Sequence, residues 1–346
     1  MPDSRRGLLS SDRPLVDAYD CAMLDLDGVV YVGPHAVEGV PALLDRARAQ
    51  GMTLAFVTNN ASRTPQSVAA HLNELGVEAA ASDVVTAAQA AARELAARLD
   101  PGAKVLVIGG EGLRVALGEQ GLTCVDRADE DPAAVVQGFD RSVGWEQLAE
   151  GAYAIRAGAL WVASNLDLTV PTVGGIAPGN GSLVNAVAAA VDARPAVVAG
   201  KPYRPLFDET VRRIGPERPL VVGDRLDTDI EGANNCDADS LLVMTGVTDL
   251  PTLCRARPQE RPSYLAWTLA GLFDAQPAPV RQGEMFELGG WQVTVRDQRL
   301  VAEQHGDDCG DALRAAASAA WAWYDEDPTA RHDATLDGCD ADWLQP

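Results

Sequence analysis

Cys21-Ala22-Met23-Leu24-Asp25-Leu26-Asp27-Gly28 is an apolar run that ends abruptly in acids. Four apolar residues without polar alternation read as a buried strand, and Asp-Gly reads as the turn that ends it. Outward from it, Val37, Val40, Leu43, Leu44 and Ala47 keep a helical period, and residues 52–57 form a second apolar run closing in Thr58-Asn59-Asn60. Thr64-Pro65 supplies a cap and a first-turn proline for a helix running to Leu75-Gly76. Apolar runs recur at 104–108, 133–138, 160–163, 197–199, 220–223 and 241–244, with helix-like stretches between most of them. Strand and helix alternating in this way predict an α/β fold with a mainly parallel sheet.

At 346 residues the chain exceeds one ordinary core, so two or three domains are expected. A composition 47% hydrophobic and 23% charged excludes a disordered chain. No apolar run approaches the ~20 residues of a spanning helix. The first eighteen residues, with Arg5, Arg6, Asp12, Arg13 and Asp17, lack the apolar stretch of a signal peptide, so a cytoplasmic protein is expected. Cys21, Cys124, Cys236, Cys254, Cys309 and Cys339 are widely spaced and read as reduced thiols. A formal charge of −22 argues against nucleic-acid and anionic-membrane partners. Beyond Gln276-Pro277-Ala278-Pro279 the chain turns more acidic, with 14 acidic and 5 basic residues from 277 to 346. Two strand-like runs there, 291–295 and 300–303, precede an alanine-rich helix over about 312–323.

Ligand sites of open parallel sheets gather at the carboxyl ends of the strands. The residues found just after the apolar runs are Asp25, Asp27, Thr58, Asn59, Lys201, Asp224 and Asp229, the inventory of a metal-assisted phosphate site. One carboxylate of the Asp25/Asp27 pair can attack while the other moves protons. The Thr58 hydroxyl and the N–H groups after it can bind phosphate oxygens. Lys201 is one of only two lysines, the other being Lys104, in a chain that otherwise uses arginine, and its ammonium can neutralise a carboxylate–phosphate pair. Asp224 and Asp229 offer hard oxygen ligands suited to Mg²⁺. Each feature alone has a plain structural reading: an Asp-Gly turn, a polar loop, a surface lysine, an acidic turn. Their shared place at strand ends is what points to one site.

Asp25-x-Asp27-Gly28, Thr58-Asn59-Asn60, Gly200-Lys201-Pro202 and Gly223-Asp224-x4-Asp229 resemble the four motifs of the haloacid dehalogenase superfamily, and the last resembles its NagD-like phosphatase branch. Ile108-Gly109-Gly110-Glu111-Gly112-Leu113-Arg114 and Pro178-Gly179-Asn180-Gly181-Ser182-Leu183 also look like this branch. Over its full length the chain looks most like the actinobacterial glycerol-3-phosphate phosphatases. The resemblance implies a Rossmann-like core over 1–100 and 197–276, an inserted α/β cap over 101–196 and a small acidic α+β appendage over 277–346. It further implies a cytoplasmic, Mg²⁺-dependent hydrolase of a small phosphate monoester. Asp25 would be the nucleophile and Asp27 the general acid and base. The metal would be held by Asp25, the Asp27 carbonyl, Asp224 and Asp229, and the phosphate by Thr58, Asn59, Asn60 and Lys201. Glycerol 3-phosphate leads as substrate, ahead of phosphoglycolate, pyridoxal phosphate and nucleotide monophosphates.

Two rivals stand beside this reading: a phosphomutase or phosphotransferase, and a slowly turning phosphorylatable sensor or receiver. A receiver has no need of Asp27 as acid for an alkoxide. A dinucleotide site is disfavoured because Val115 stands where a third glycine belongs, and Pro202 follows Lys201 where a Walker A needs Ser or Thr. His35, His71, His305 and His332 lack metal-ligand partners at helical spacing. Asn165, Asp167 and the 178–182 turn are candidates for substrate choice. The tail, with Trp291, Trp321, Trp323 and Trp343, could dock on the core, bind a partner or make a homodimer.

Overall fold

Every side chain of the strand Cys21–Leu24 is buried. The computed structural model describes residues 7–172, 174–326, 336–339 and 341–344; His332 lies outside them. The chain divides into two compact units, residues 1–54 with 216–346, and residues 55–215.

In the first unit Cys21–Leu24 runs parallel to Pro219–Gly223, which runs parallel to Asp239–Val243, which pairs in turn with Tyr264–Ala266. The register sets Met23 beside Val221 and Val222 beside Leu241. Strands with both faces covered have no need of polar alternation, which is why these read as continuous apolar runs. The expected helix is Val40–Ala49, burying Val40, Leu44 and Ala47.

The C-terminal part of this unit is antiparallel. Val280–Gln282, Met285–Leu288, Trp291–Arg296 and Arg299–Gln304 form a sheet followed by the helix Cys309–Glu326. The last hairpin turns through Asp297 and Gln298, both at positive φ (49° and 58°), the geometry that matches strand twist in a two-residue loop. The first two strands escape sequence reading because one is fully exposed and the other half-buried throughout, so neither shows a two-residue period. Of the three roles open to the tryptophan-bearing tail, docking accounts for Trp291 and Trp321. Both are buried in one hydrophobic cluster with Leu226, Ile230, Leu242, Leu253 and Leu265, and Trp323 and Trp343 pack against it.

Arg261 fastens this arrangement. Its guanidinium is buried and forked onto Asp325 at 2.7 and 2.8 Å, donates to the carbonyls of Ala256 (3.3 Å) and Trp321 (3.4 Å), and lies 5.3 Å from the Trp321 ring centroid. A desolvated guanidinium needs this many acceptors.

In the second unit the end of Thr53–Thr58 pairs in parallel with Val84–Thr86, setting Thr58 beside Thr86. The helix Pro65–Glu74 begins as its sequence predicts, with the Thr64 hydroxyl accepting from the Ser67 N–H at 3.2 Å. Val197–Val198, Leu160–Ala163, Ala134–Gln137, Lys104–Ile108 and Thr123–Val125 form a second parallel sheet in that order, with an antiparallel hairpin, Thr169–Thr172 and Gly175–Pro178, beside it in sequence. The helix Trp145–Arg156 lies on this sheet so closely that a Cβ on Gly151 would fall 2.2 Å from Ile108 Cδ1. The fold is therefore α/β, mainly parallel Rossmann-like sheets with an inserted α/β cap, and ends in a small α+β appendage.

Asp325→Ala is expected to lower unfolding free energy by about 3 kcal/mol, because it strands a buried guanidinium. Arg261→Met, which removes the charge itself, should cost less; urea titration of both variants checks the order.

Candidate active site

Asp25 stands one residue past its strand, and its N–H still donates to the Val222 carbonyl at 2.9 Å, so the sheet ladder extends to the acid. The chain then turns tightly. The Leu26 carbonyl accepts from Val30 (2.9 Å) and Tyr31 (3.1 Å), and Gly28 sits at φ +89°. Gly28 is required twice over, by that φ and because a Cβ there would fall 2.4 Å from Asp224 Oδ2. Asp27, two residues on, is exposed.

Asp224 follows the strand Pro219–Gly223 and is fully buried. Its Oδ2 accepts from the Val247 N–H at 2.6 Å, and its carbonyl accepts from Thr248 at 3.2 Å. Gly246 lets that loop close in, since a Cβ there would lie 2.0 Å from Asp224 Oδ2. Asp229 is 1% exposed, and its carboxylate accepts from the Arg225 N–H at 3.2 Å across the single wide helical turn Leu226–Ile230. Asp227, in the same turn, is exposed and forked onto the Arg225 guanidinium at 2.8 and 3.0 Å, which leaves it to the surface.

Asp25, Asp224 and Asp229 can each offer a carboxylate oxygen within 4.8 Å of the others'. Three like charges so close, two of them buried, favour a divalent metal ion, and a set of hard oxygens suits such an ion better than nitrogen or sulfur would. Sequence reasoning found the three acids and missed Gly246 and Val247. The strand-end rule would have reached them, because both come just after Asp239–Val243.

The second unit holds the other expected residues. Thr58 and Lys201 are buried, at 5% and 4% exposure. The Thr58 hydroxyl accepts from the Asn60 N–H at 3.1 Å, and Lys201 Nζ donates to the Val57 carbonyl at 3.3 Å. Lys104, by contrast, is exposed and donates to the Glu130 carbonyl, so one lysine of the two is interior. The Asn60 side chain is engaged locally: Oδ1 accepts from Ser62 N, Ser62 Oγ and Arg63 N at 2.9, 2.9 and 3.3 Å. The Asn59 side chain holds the Lys201 peptide, with Oδ1 accepting its N–H at 2.8 Å and Nδ2 donating to its carbonyl at 3.1 Å. A buried carboxylate cluster and a buried ammonium, each on a strand-end loop, are the parts that phosphoryl chemistry uses.

Residues 22–123 match the sequence profile of the haloacid dehalogenase-like hydrolases, and residues 198–272 match a second, HAD-hydrolase-like profile. The chain is 45% identical over 313 residues to a D-glycerol 3-phosphate phosphatase of Mycobacterium tuberculosis, spanning 89% of this chain and 88% of that one. It is 38% identical over 232 residues to a 5'-nucleotidase of Bacillus subtilis, spanning 66% and 89%. A crystal structure of a glycerol phosphate phosphatase from M. tuberculosis in complex with magnesium is similar with a TM-score of 0.82 at 44% identity, covering 90% of this chain and 92% of that one. The corresponding complex with calcium gives 0.83, covering 90% of each chain.

Gly246→Ala should push the Asp224 carboxylate aside. We expect divalent-ion affinity by titration calorimetry to fall at least about tenfold with the circular dichroism spectrum retained; unchanged affinity would show that this loop does not seat Asp224.

Proposed function

We propose, because this chain belongs to the haloacid dehalogenase-like hydrolases and is a phosphoric monoester hydrolase, that it hydrolyses glycerol 3-phosphate with Mg²⁺ through an aspartyl-phosphate. The observation that carries the chemistry is the convergence of Asp25, Asp224 and Asp229 at strand ends. What favours glycerol 3-phosphate over a nucleotide is extent. The match to the glycerol 3-phosphate phosphatase spans 89% of the chain, whereas the match to the 5'-nucleotidase spans 66%.

Asp25 Oδ attacks phosphorus in line, forming the acyl-phosphate bond as the bond to the ester oxygen breaks. Asp27 gives its proton to the departing alkoxide, then takes one from the water that attacks the phosphoryl group, which releases phosphate and restores Asp25. Its exposure leaves Asp27 able to exchange that proton with solvent. Asp25, the Asp27 carbonyl, Asp224 and Asp229 would hold Mg²⁺, which would supply charge neutralisation during the transfer. Thr58, the 59–60 segment and Lys201 bind the equatorial oxygens, whose charge spreads in the transition state. Local positive charge answers the puzzle of an anionic substrate for a chain of formal charge −22.

The core is assigned to residues 1–100 and 197–276, the cap to 101–196 and the appendage to 277–346. Among the described residues no helix is long and apolar enough to cross a membrane, and no disulfide joins the six cysteines. The Cys21 thiol is pushed up to about 12 by burial and then by the Asp20 charge, which suits an unreactive packing role. These thiols support a reducing, cytoplasmic setting.

A panel of small phosphate esters with and without EDTA tests the reading. Phosphate release should be fastest from glycerol 3-phosphate, vanish with EDTA and return with Mg²⁺. Asp25→Asn should lose at least about a thousandfold in kcat with its circular dichroism spectrum retained. Turnover slower than hourly on every ester would favour a phosphorylatable sensor instead.

A further inference from the structure

Asp167 lies in the second unit, two residues past Asn165 and just before the hairpin strand Thr169–Thr172. Its carboxylate accepts from Asn59 Nδ2 at 3.2 and 3.3 Å. That same amide brackets the Lys201 peptide, accepting its N–H and donating to its carbonyl. An asparagine amide has two unlike ends, and a peptide presents two unlike groups, so the bracket closes only if the amide faces the right way. A carboxylate beside Nδ2 reinforces that facing and fixes where the amide sits, because it accepts and cannot donate. Only Nδ2 can face Asp167, which leaves Oδ1 for the Lys201 N–H.

The surrounding backbone is built to hold Asp167 in place. Asn165 Oδ1 accepts the Asp167 N–H at 3.1 Å, and Asn165 Nδ2 donates to the Asn59 carbonyl at 2.7 Å, so one side chain ties both partners. Asn180, 1% exposed, donates in turn to the Asn165 carbonyl at 2.7 Å. The Asp167 carbonyl accepts from Gly181 N–H at 2.8 Å. A Cβ on Gly179 would fall 2.4 Å from that carbonyl oxygen, and one on Gly181 would fall 2.1 Å from the Leu166 oxygen. The 178–182 turn is thus a seat for the Asp167 loop.

We infer that Asp167 is a positioning residue for the Lys201 ammonium, acting through the Asn59 amide. The inference rests on the phosphatase reading, in which Lys201 meets the charge that builds on the transferring phosphoryl group. An ammonium set by a fixed peptide meets that charge without reorganising, whereas a misplacement of about an ångström costs on the order of a hundredfold.

The test is a swap of the pair, assayed for phosphate release on the wild-type enzyme's best ester. Asn59→Asp faces two carboxylates across the contact and should lose about a hundredfold in kcat. Adding Asp167→Asn gives the new carboxylate a donor and should recover at least about tenfold. Asp167→Asn alone, close in shape to the native residue, should lose about tenfold in kcat and equally in kcat/KM, since a transition-state contact is what weakens. A double variant no more active than Asn59→Asp would overturn the inference. So would an Asp167→Asn defect confined to KM, which would make Asp167 a substrate contact. Failure of the phosphatase reading would show differently, as a wild-type enzyme releasing no phosphate from any ester.

Discussion

Mutual repulsion among carboxylates is the constraint that the first unit is organised to bear. Charges under 5 Å apart repel by about 3 kcal/mol per pair at an effective dielectric of about 20, and Asp224 and Asp229 are buried as well. The backbone answers with fixed partial charges: the Val247 N–H on Asp224 and the Arg225 N–H on Asp229. The parallel strands then serve as rigid posts, and Gly28, Gly223 and Gly246 let the acids approach where any side chain would collide. A divalent cation completes the balance. Removing the cluster would leave this half of the molecule with no reason for its tight loops.

In the second unit the equivalent device is a clamp on a peptide. Lys201 is buried in a chain that places nearly all its cations on arginines, and its backbone is gripped by Asn59. The grip belongs to a wider net in which the Asn165 amide donates to the Asn59 carbonyl and the Asn180 amide to the Asn165 carbonyl.

Much of this was legible in the sequence, for a physical reason. A strand buried on both faces reads as an apolar run, and the residue just past such a run stands at the strand's carboxyl end, so Asp25, Thr58, Lys201 and Asp224 could be picked out by position. Capping was legible too, since Thr64 and Pro65 act within four residues of themselves. The features that stayed hidden depend on distant contacts. Gly246 matters only because Asp224 lies against it. The sequence marks Asn59 and Asn60 as equal polar residues, yet one grips Lys201 while the other closes its own loop on Ser62 and Arg63. The short strands Val84–Thr86 and Val280–Gln282 are too brief to show a period. The tail's place against the core rests on Arg261 and Asp325, 64 residues apart, which no local pattern reveals.

One event is central to the chemistry, the capture of phosphorus by an Asp25 oxygen. The direct measurement is acid quench during turnover of glycerol 3-phosphate, with mass spectrometry of the digested chain. The predicted result is one phosphoryl group per chain at most, on Asp25, labile to hydroxylamine and absent from Asp25→Asn. Steady phosphate release with no label on Asp25, or with the label on another residue, would contradict it.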